Sequence, residues 1–323
     1  MVLKASLAQL GWAEETEFGE TATATAQTGA FGILREKVAL PDPKRAYDIY
    51  RVIGSLSRIP SFVDRNELVH EGSIPFTLQN GKALVFGLGK SVKVGSVAPF
   101  THTIQTDSAL PSMCMEAVIG DGTTDYMRYY EGTKVNRMTL EGTEKGVIKC
   151  ILDVISKKGY KGTGTKSTVE TVTTKPYQFH HTSTNLTLWT SGAFARVLNW
   201  SLTVDNHLQP NYYWQDTNAD LPFEIDEEEQ TIEMKATIIP SDMDIFDHIG
   251  VATEFDLDMV ISRTASTDTI EIKNPTASKC VMPEAPHPLP EKGRLATDVL
   301  IYMKGLEIIV VDAIAAYPNE TGP

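Results

Sequence analysis

Apolar and polar residues alternate with a period of two over long stretches of this chain. In residues 197–204, Leu198, Trp200, Leu202 and Val204 are apolar, while Asn199, Ser201 and Thr203 are polar. Residues 230–239 set Ile232, Met234, Ala236 and Ile238 against Thr231, Glu233, Lys235 and Thr237. Residues 255–262 repeat the pattern, with Phe255, Leu257, Met259 and Ile261 against Asp256, Asp258 and Ser262. Successive side chains of a strand point to opposite faces, so each segment buries one face and wets the other. Further strands are expected near 49–59, 67–78, 113–119, 127–130, 135–140, 147–156, 184–190, 267–273 and 298–314. The Gly-containing stretch 141–146 reads as a hairpin loop. Residues 81–90 carry bunched apolar positions that suit a short helix. The strongest helix start is Ser241-Asp242-Met243-Asp244, closed by Gly250. Strands outnumber helices without βαβ alternation. The expected fold is therefore mainly β, of sandwich or barrel type, with one or two short flanking helices and long loops.

The pattern also divides the chain. Residues 1–46 read as an N-terminal arm: a few leucines, a Thr/Ala/Gly-rich stretch, then Pro41-Asp42-Pro43 as a breaker. A β-domain follows over 47–315, with an inserted loop or subdomain around 158–230, and 316–323 form a tail. Residues 159–175 are rich in Gly, Thr and Lys and read as a long mobile loop. The arm and this loop are too polar and too rich in Gly and Thr to build core, so deleting either should leave a folded subunit.

The 323 residues carry a formal charge of −13 and a pI near 5.0. That charge disfavours unaided binding to nucleic-acid phosphates. No apolar run is long enough for a transmembrane helix, and the first residues lack the apolar core of a secretory signal. The widely spaced Cys114, Cys150 and Cys280 form no CxxC and read as small buried hydrophobes in a reduced compartment.

The search for chemistry returns little. Residues 159–167 approach a phosphate-binding loop, but Thr165 stands between Gly164 and Lys166. Asp242, Asp244, Asp247 and His248 cluster at a helix start, where acids oppose the helix dipole. The acids at 224–229 lack the spacing of a calcium loop. His180 and His181 would point to opposite faces of a strand, and neither GxSxG nor HExxH is present. Tyr212, Tyr213 and Trp214 could stack on sugars or bases, or pack at a strand end. No catalytic residue, cofactor or metal site is assigned, and an enzyme is not expected.

Several segments together resemble a known family. They are Tyr130-Glu131-Gly132-Thr133-Lys134-Val135-Asn136-Arg137-Met138-Thr139-Leu140 with the following strand, Val197 to Asn206, and Lys304 to Val310. Residues 67–90, a strand then a short helix, fit as well. Over about 47–315 the chain is similar to the major tail tube proteins of tailed bacteriophages and archaeal tailed viruses. The resemblance implies a structural virion protein of the viral tail, assembled in the host cytoplasm. Its β-sandwich subunits would form rings, usually hexameric, that stack into the conduit for genome ejection. The partners it implies are further copies of the chain, a tape measure protein, viral DNA passing without specific binding, and sheath, terminator and baseplate proteins, with no membrane. A negative charge suits a conduit for DNA, and some of Glu233, Asp256 and Asp258 are the expected lumen-facing acids. Two other readings stay open: another ring-forming tail component, such as a terminator or baseplate hub, and a β-sandwich carbohydrate-binding or adhesion module using Tyr212 to Trp214.

Overall fold

The computed structural model describes residues 8–21, 26–34, 37–50, 62–120, 125–163, 165–179, 186–188, 192–194, 197–213, 220–239, 254–263, 266–284 and 296–322. Its strands, in chain order, are β1 (Gln9–Glu14), β2 (Gly29–Ala30), β3 (Ile33–Leu34), β4 (Pro43–Tyr50), β5 (Phe62–Thr77), β6 (Gly89–Val94), β7 (Phe100–Thr106) and β8 (Met113–Gly120). There follow β9 (Asp125–Thr143), β10 (Lys149–Lys161), β11 (Leu186–Leu188), β12 (Gly192–Phe194), β13 (Val197–Asp205), β14 (Gln209–Asn211) and β15 (Glu224–Asp226). The last are β16 (Thr231–Ile238), β17 (Leu257–Ser262), β18 (Thr269–Lys273), β19 (Cys280–Glu284), β20 (Thr297–Met303), β21 (Glu307–Asp312) and β22 (Glu320–Thr321). A 3-10 turn at Lys82–Leu84 runs into one helix, α1 (Val85–Leu88), where 81–90 suggested a short helix. The expected helix from Ser241 lies outside the described residues.

The protein is mainly β, and no sheet closes into a barrel. A large 12-stranded sheet runs β19-β20-β16-β13-β9-β10-β5-β3, with β1, β2, β4 and β8 paired off that path. A second sheet of 8 strands runs β12-β11-β17-β18-β21-β7-β6-β22, and β14 pairs with β15 alone. The apolar faces of both large sheets enter one core. Trp200, Leu202, Met234, Leu152 and Ile301 come from the first, and Met259, Ile261, Ile270, Ile308 and Ile104 from the second. Burial of that apolar area, at about 25 cal/mol per Å², is what holds the two layers together. The expected strand 298–314 is two strands that change sheets: β20 belongs to the larger and β21 to the smaller. The β9–β10 hairpin turns at residues 143–146, where Lys145 takes φ 63° and Gly146 N–H donates to the Thr143 carbonyl at 2.9 Å.

The arm expected over 1–46 is corrected by its own contacts. β1 pairs antiparallel with β8 from Gln9↔Val118 to Glu14↔Met113, and Leu10 and Trp12 lie in the core. β4 already begins at Pro43, within the supposed breaker. The described part of 159–175 is equally tied down. Ser167 N–H donates to Glu116 Oε1 (2.9 Å), Glu170 N–H to the Thr28 carbonyl (2.7 Å), and Lys82 Nζ meets Glu170 (3.0 Å). Tyr177, just beyond, is fully buried. Deleting 1–46 would remove Leu10, Trp12 and Phe31 from the core, contrary to the expectation that a folded subunit remains, whereas no described residue of 159–175 belongs to that core.

Candidate functional site

Among the described residues, three surfaces are left to act on something else: the outward faces of the two large sheets and a projecting hairpin. The larger sheet's outward face is rich in hydroxyls. Across it, Glu233 stands beside Thr203, and Thr203 beside Thr139. The next row sets Lys235 beside Ser201 and Ser201 beside Glu141. Part of this face is covered near Ile155, where Leu110, Leu208 and Ile225 form a small second core with Phe18. The smaller sheet's outward face is more apolar. Val260, Ile309, Val311 and Val92 are half-buried there, and Val94 is 61% exposed.

The three acids singled out in the sequence do not share a face. Glu233 lies on the larger sheet, half-buried, and Asp258 on the smaller, exposed opposite Lys273. Burial, with Glu271 nearby, raises the Asp258 carboxyl above its usual range. Asp256 precedes β17 and is held by Lys279 Nζ (2.6 Å) and Asn274 Nδ2 (2.9 Å), which keep its carboxyl below the usual range. Both sheets bury their inner faces in one core, so their outward faces point apart. Glu233 and Asp258 therefore lie on opposite sides of the subunit.

The hairpin β4–β5 leaves the larger sheet where β5 stops pairing with β10, beyond Ile155↔Glu71. Its outer part exposes apolar side chains on both faces: Tyr47 57%, Ile49 63%, Phe62 60% and Val63 58%. Adjacent strand residues point opposite ways, so Phe62 and Val63 are bare on two sides. Arg45 braces it against Asp220 (2.5 Å), and Leu68 N–H donates to the Asp220 carbonyl (3.0 Å). At its root, Arg128 and Tyr130 both bind Asp42, at 2.5 and 2.9 Å. His70, opposite Pro43, is buried with neither ring nitrogen meeting a protein partner. Burial pulls its pKa below the ordinary value, against the opposing pull of Asp42 and Asp220. Beside this root lies a groove of about 610 Å³, lined by Leu40, Pro43, Ile119, Tyr126 and Tyr130 among others. The sequence reading missed the hairpin because its apolar residues look like core. Their presence on both faces of one strand was the available signal.

The other candidates are spent on structure. The near phosphate loop offers its Ser167 N–H to the Glu116 carboxylate rather than to a free anion site. Of the acids at 224–229, Glu224 accepts from Tyr213 (2.6 Å), Asp226 from Asn211 (2.5 Å) and Glu227 from Lys134 (2.6 Å). Tyr213 packs on Phe223, ring centroids 5.8 Å apart. Burial raises all three thiols, with Glu15 adding to the shift at Cys114 and Cys280 pushed up to about 12. Among the described residues no three His, Cys, Asp or Glu side chains are placed to hold a metal ion. His180, His181, Trp214, Asp242, Asp244, Asp247 and His248 lie outside the described residues.

The family model described as phage tail tube protein matches residues 5–293. No curated protein matches the chain.

Proposed function

We propose, for a chain that belongs to the phage tail tube protein family, that it is the repeating subunit of a stacked-ring tube whose bore passes the viral genome. The observation that carries this reading is the β4–β5 hairpin, whose large apolar side chains are bare on both faces in the lone subunit. A soluble chain does not keep such a projection uncovered, and the cover is a second copy. The hairpin springs from the rim of its own root groove, so the groove that receives it belongs to a neighbour. A projection meeting a different surface makes a heterologous contact, which propagates instead of closing as a pair.

The bore is assigned to the Glu233 face of the larger sheet. Its threonines and serines stay wet, and its acids disfavour phosphate binding. The valine- and isoleucine-bearing face that carries Asp258 is assigned to the outside of the tube, open to solvent in tubes of this chain alone and suited to contact with a different protein laid around them. Electron microscopy of the purified chain tests the first half: extended tubes are expected, and a persistent monomer would refute it. The second half is tested with Glu233→Cys and Asp258→Cys and a maleimide too bulky to enter the tube. Both variants should label as subunits, and only Asp258→Cys should label once assembled.

A further inference from the structure

The smaller sheet has a guarded edge. β6 pairs with β7 along its whole length from Gly89↔Thr106 to Val94↔Thr101. On its other side, among the described residues, its strand partner is β22 alone, with Glu320 opposite Ser91 and Thr321 opposite Val92. β22 belongs to a strap, residues 313–322, that returns from β21 across the end of the sheet. The strap is pinned mainly by polar contacts. His102, fully buried, places Nδ1 2.5 Å from Glu320 Oε1 and Nε2 2.8 Å from the Ile314 carbonyl. Tyr317 stacks on the His102 ring at 3.9 Å and donates to Asp312 at 2.7 Å. Beyond Pro318 the hold is polar throughout: the Glu320 contact with His102 is joined there by three hydrogen bonds of Asn319, and no residue of 319–322 belongs to the apolar core. Asn319 Nδ2 donates to the Gly89 carbonyl (2.7 Å), Asn319 N–H to Glu14 (2.9 Å), and Ser91 N–H to the Asn319 carbonyl (3.1 Å).

The direction of β22 is informative. Every other junction in this sheet is antiparallel, from β12 through β11, β17, β18, β21 and β7 to β6. The end strands β12 and β6 therefore run the same way. Among the described residues β12 pairs with β11 alone, so it offers the sheet's other open edge. Rotation about a ring axis keeps strand direction, so a neighbour's β12 would approach β6 in the parallel sense. β22 is the one parallel partner in the sheet, and it occupies that place. Val94 and Val97, 61% and 78% exposed, flank the same edge and lack cover in the lone subunit.

We infer that β22 stands in for a strand of a second copy: residues 319–322 guard the β6 edge in the free subunit and yield it to a neighbour's β12 on assembly. Tyr317 and Asp312 stay anchored in the core, so only the segment beyond Pro318 lifts. An open edge left unguarded would pair indiscriminately, and a short displaceable guard prevents that. The inference rests on the tube reading above.

The test uses the full chain carrying Val92→Cys and Thr321→Cys, which face each other in the register, while the three native cysteines are buried. Oxidised protein, with the strap tied down, should remain as subunits in light scattering and microscopy. Reduction of the same sample should release tubes. Tubes from the oxidised form at the reduced form's rate would overturn the inference and leave the tube reading intact. Absence of tubes from the wild-type chain would overturn both. In the same assay Glu320→Gln, which weakens the charge-assisted bond to His102, should shorten the assembly lag about tenfold. An unchanged lag would count against the guard.

Discussion

Replacing Trp12 by alanine separates an arm from a structural strand. Trp12 is 6% exposed, edge-on to Phe86 with ring centroids 5.1 Å apart, and 6.4 Å from Phe31. It stands opposite Gly29 in β2 and Met115 in β8, and its ring lies over Gly29, where a Cβ would clash with the indole. Truncating so large a buried side chain costs about 3–5 kcal/mol, because neighbours fixed in the ladders of β1 and β8 collapse only in part. At about 2 °C per kcal/mol for a chain of this size, Tm should fall by about 6–10 °C. The indole Nε1 has no acceptor in the protein. Trp12→Phe therefore removes an unsatisfied donor worth about 1–3 kcal/mol while losing volume of similar worth, and should be close to neutral. Thermal melts followed by circular dichroism would measure both, at concentrations below tube formation so that assembly does not add to Tm. A fall under about 2 °C for the alanine variant would mean that β1 does not pack on the free subunit.

Two further outcomes follow from the hairpin. His70 is buried neutral, with its folded pKa below the ordinary value of about 6.5. Its contribution is whole above that value and drains as pH falls through it, because the unfolded chain takes up the proton first. His70→Leu should lose less Tm than wild type between about pH 7.5 and about 5.5, and equal losses would show that this group is not responsible. The paired change Tyr47→Ser with Ile49→Ser alters exposed positions and should shift subunit stability by less than about 0.5 kcal/mol. Sedimentation should nevertheless find no polymer, and normal tubes would remove the hairpin from the contact.

How far the sequence could be read depended on who covers each face. β13, β16 and β17 bury one side and wet the other, so Trp200, Met234 and Met259 announced themselves by period. β1 is covered on both sides and carries no alternation, with four of six residues buried, and it was read as part of an arm; β8, with seven of eight buried, is legible at 113–119 only as an unbroken apolar run. β6 and β7 failed for another reason. Their inward positions include Ser91 and His102, and the acceptors that make His102 tolerable there come from Ile314 and Glu320, more than two hundred residues away. No local window contains that pairing. The hairpin inverts the problem. Tyr47, Ile49, Phe62 and Val63 have the composition of a core, and in the lone subunit they face solvent. Hydrophobic pattern reports that a residue will be buried, not by which molecule. Where apolar residues occupy both faces of a strand that its own fold leaves bare, the remaining partner is another chain, and the reading proposed above makes that chain the next copy.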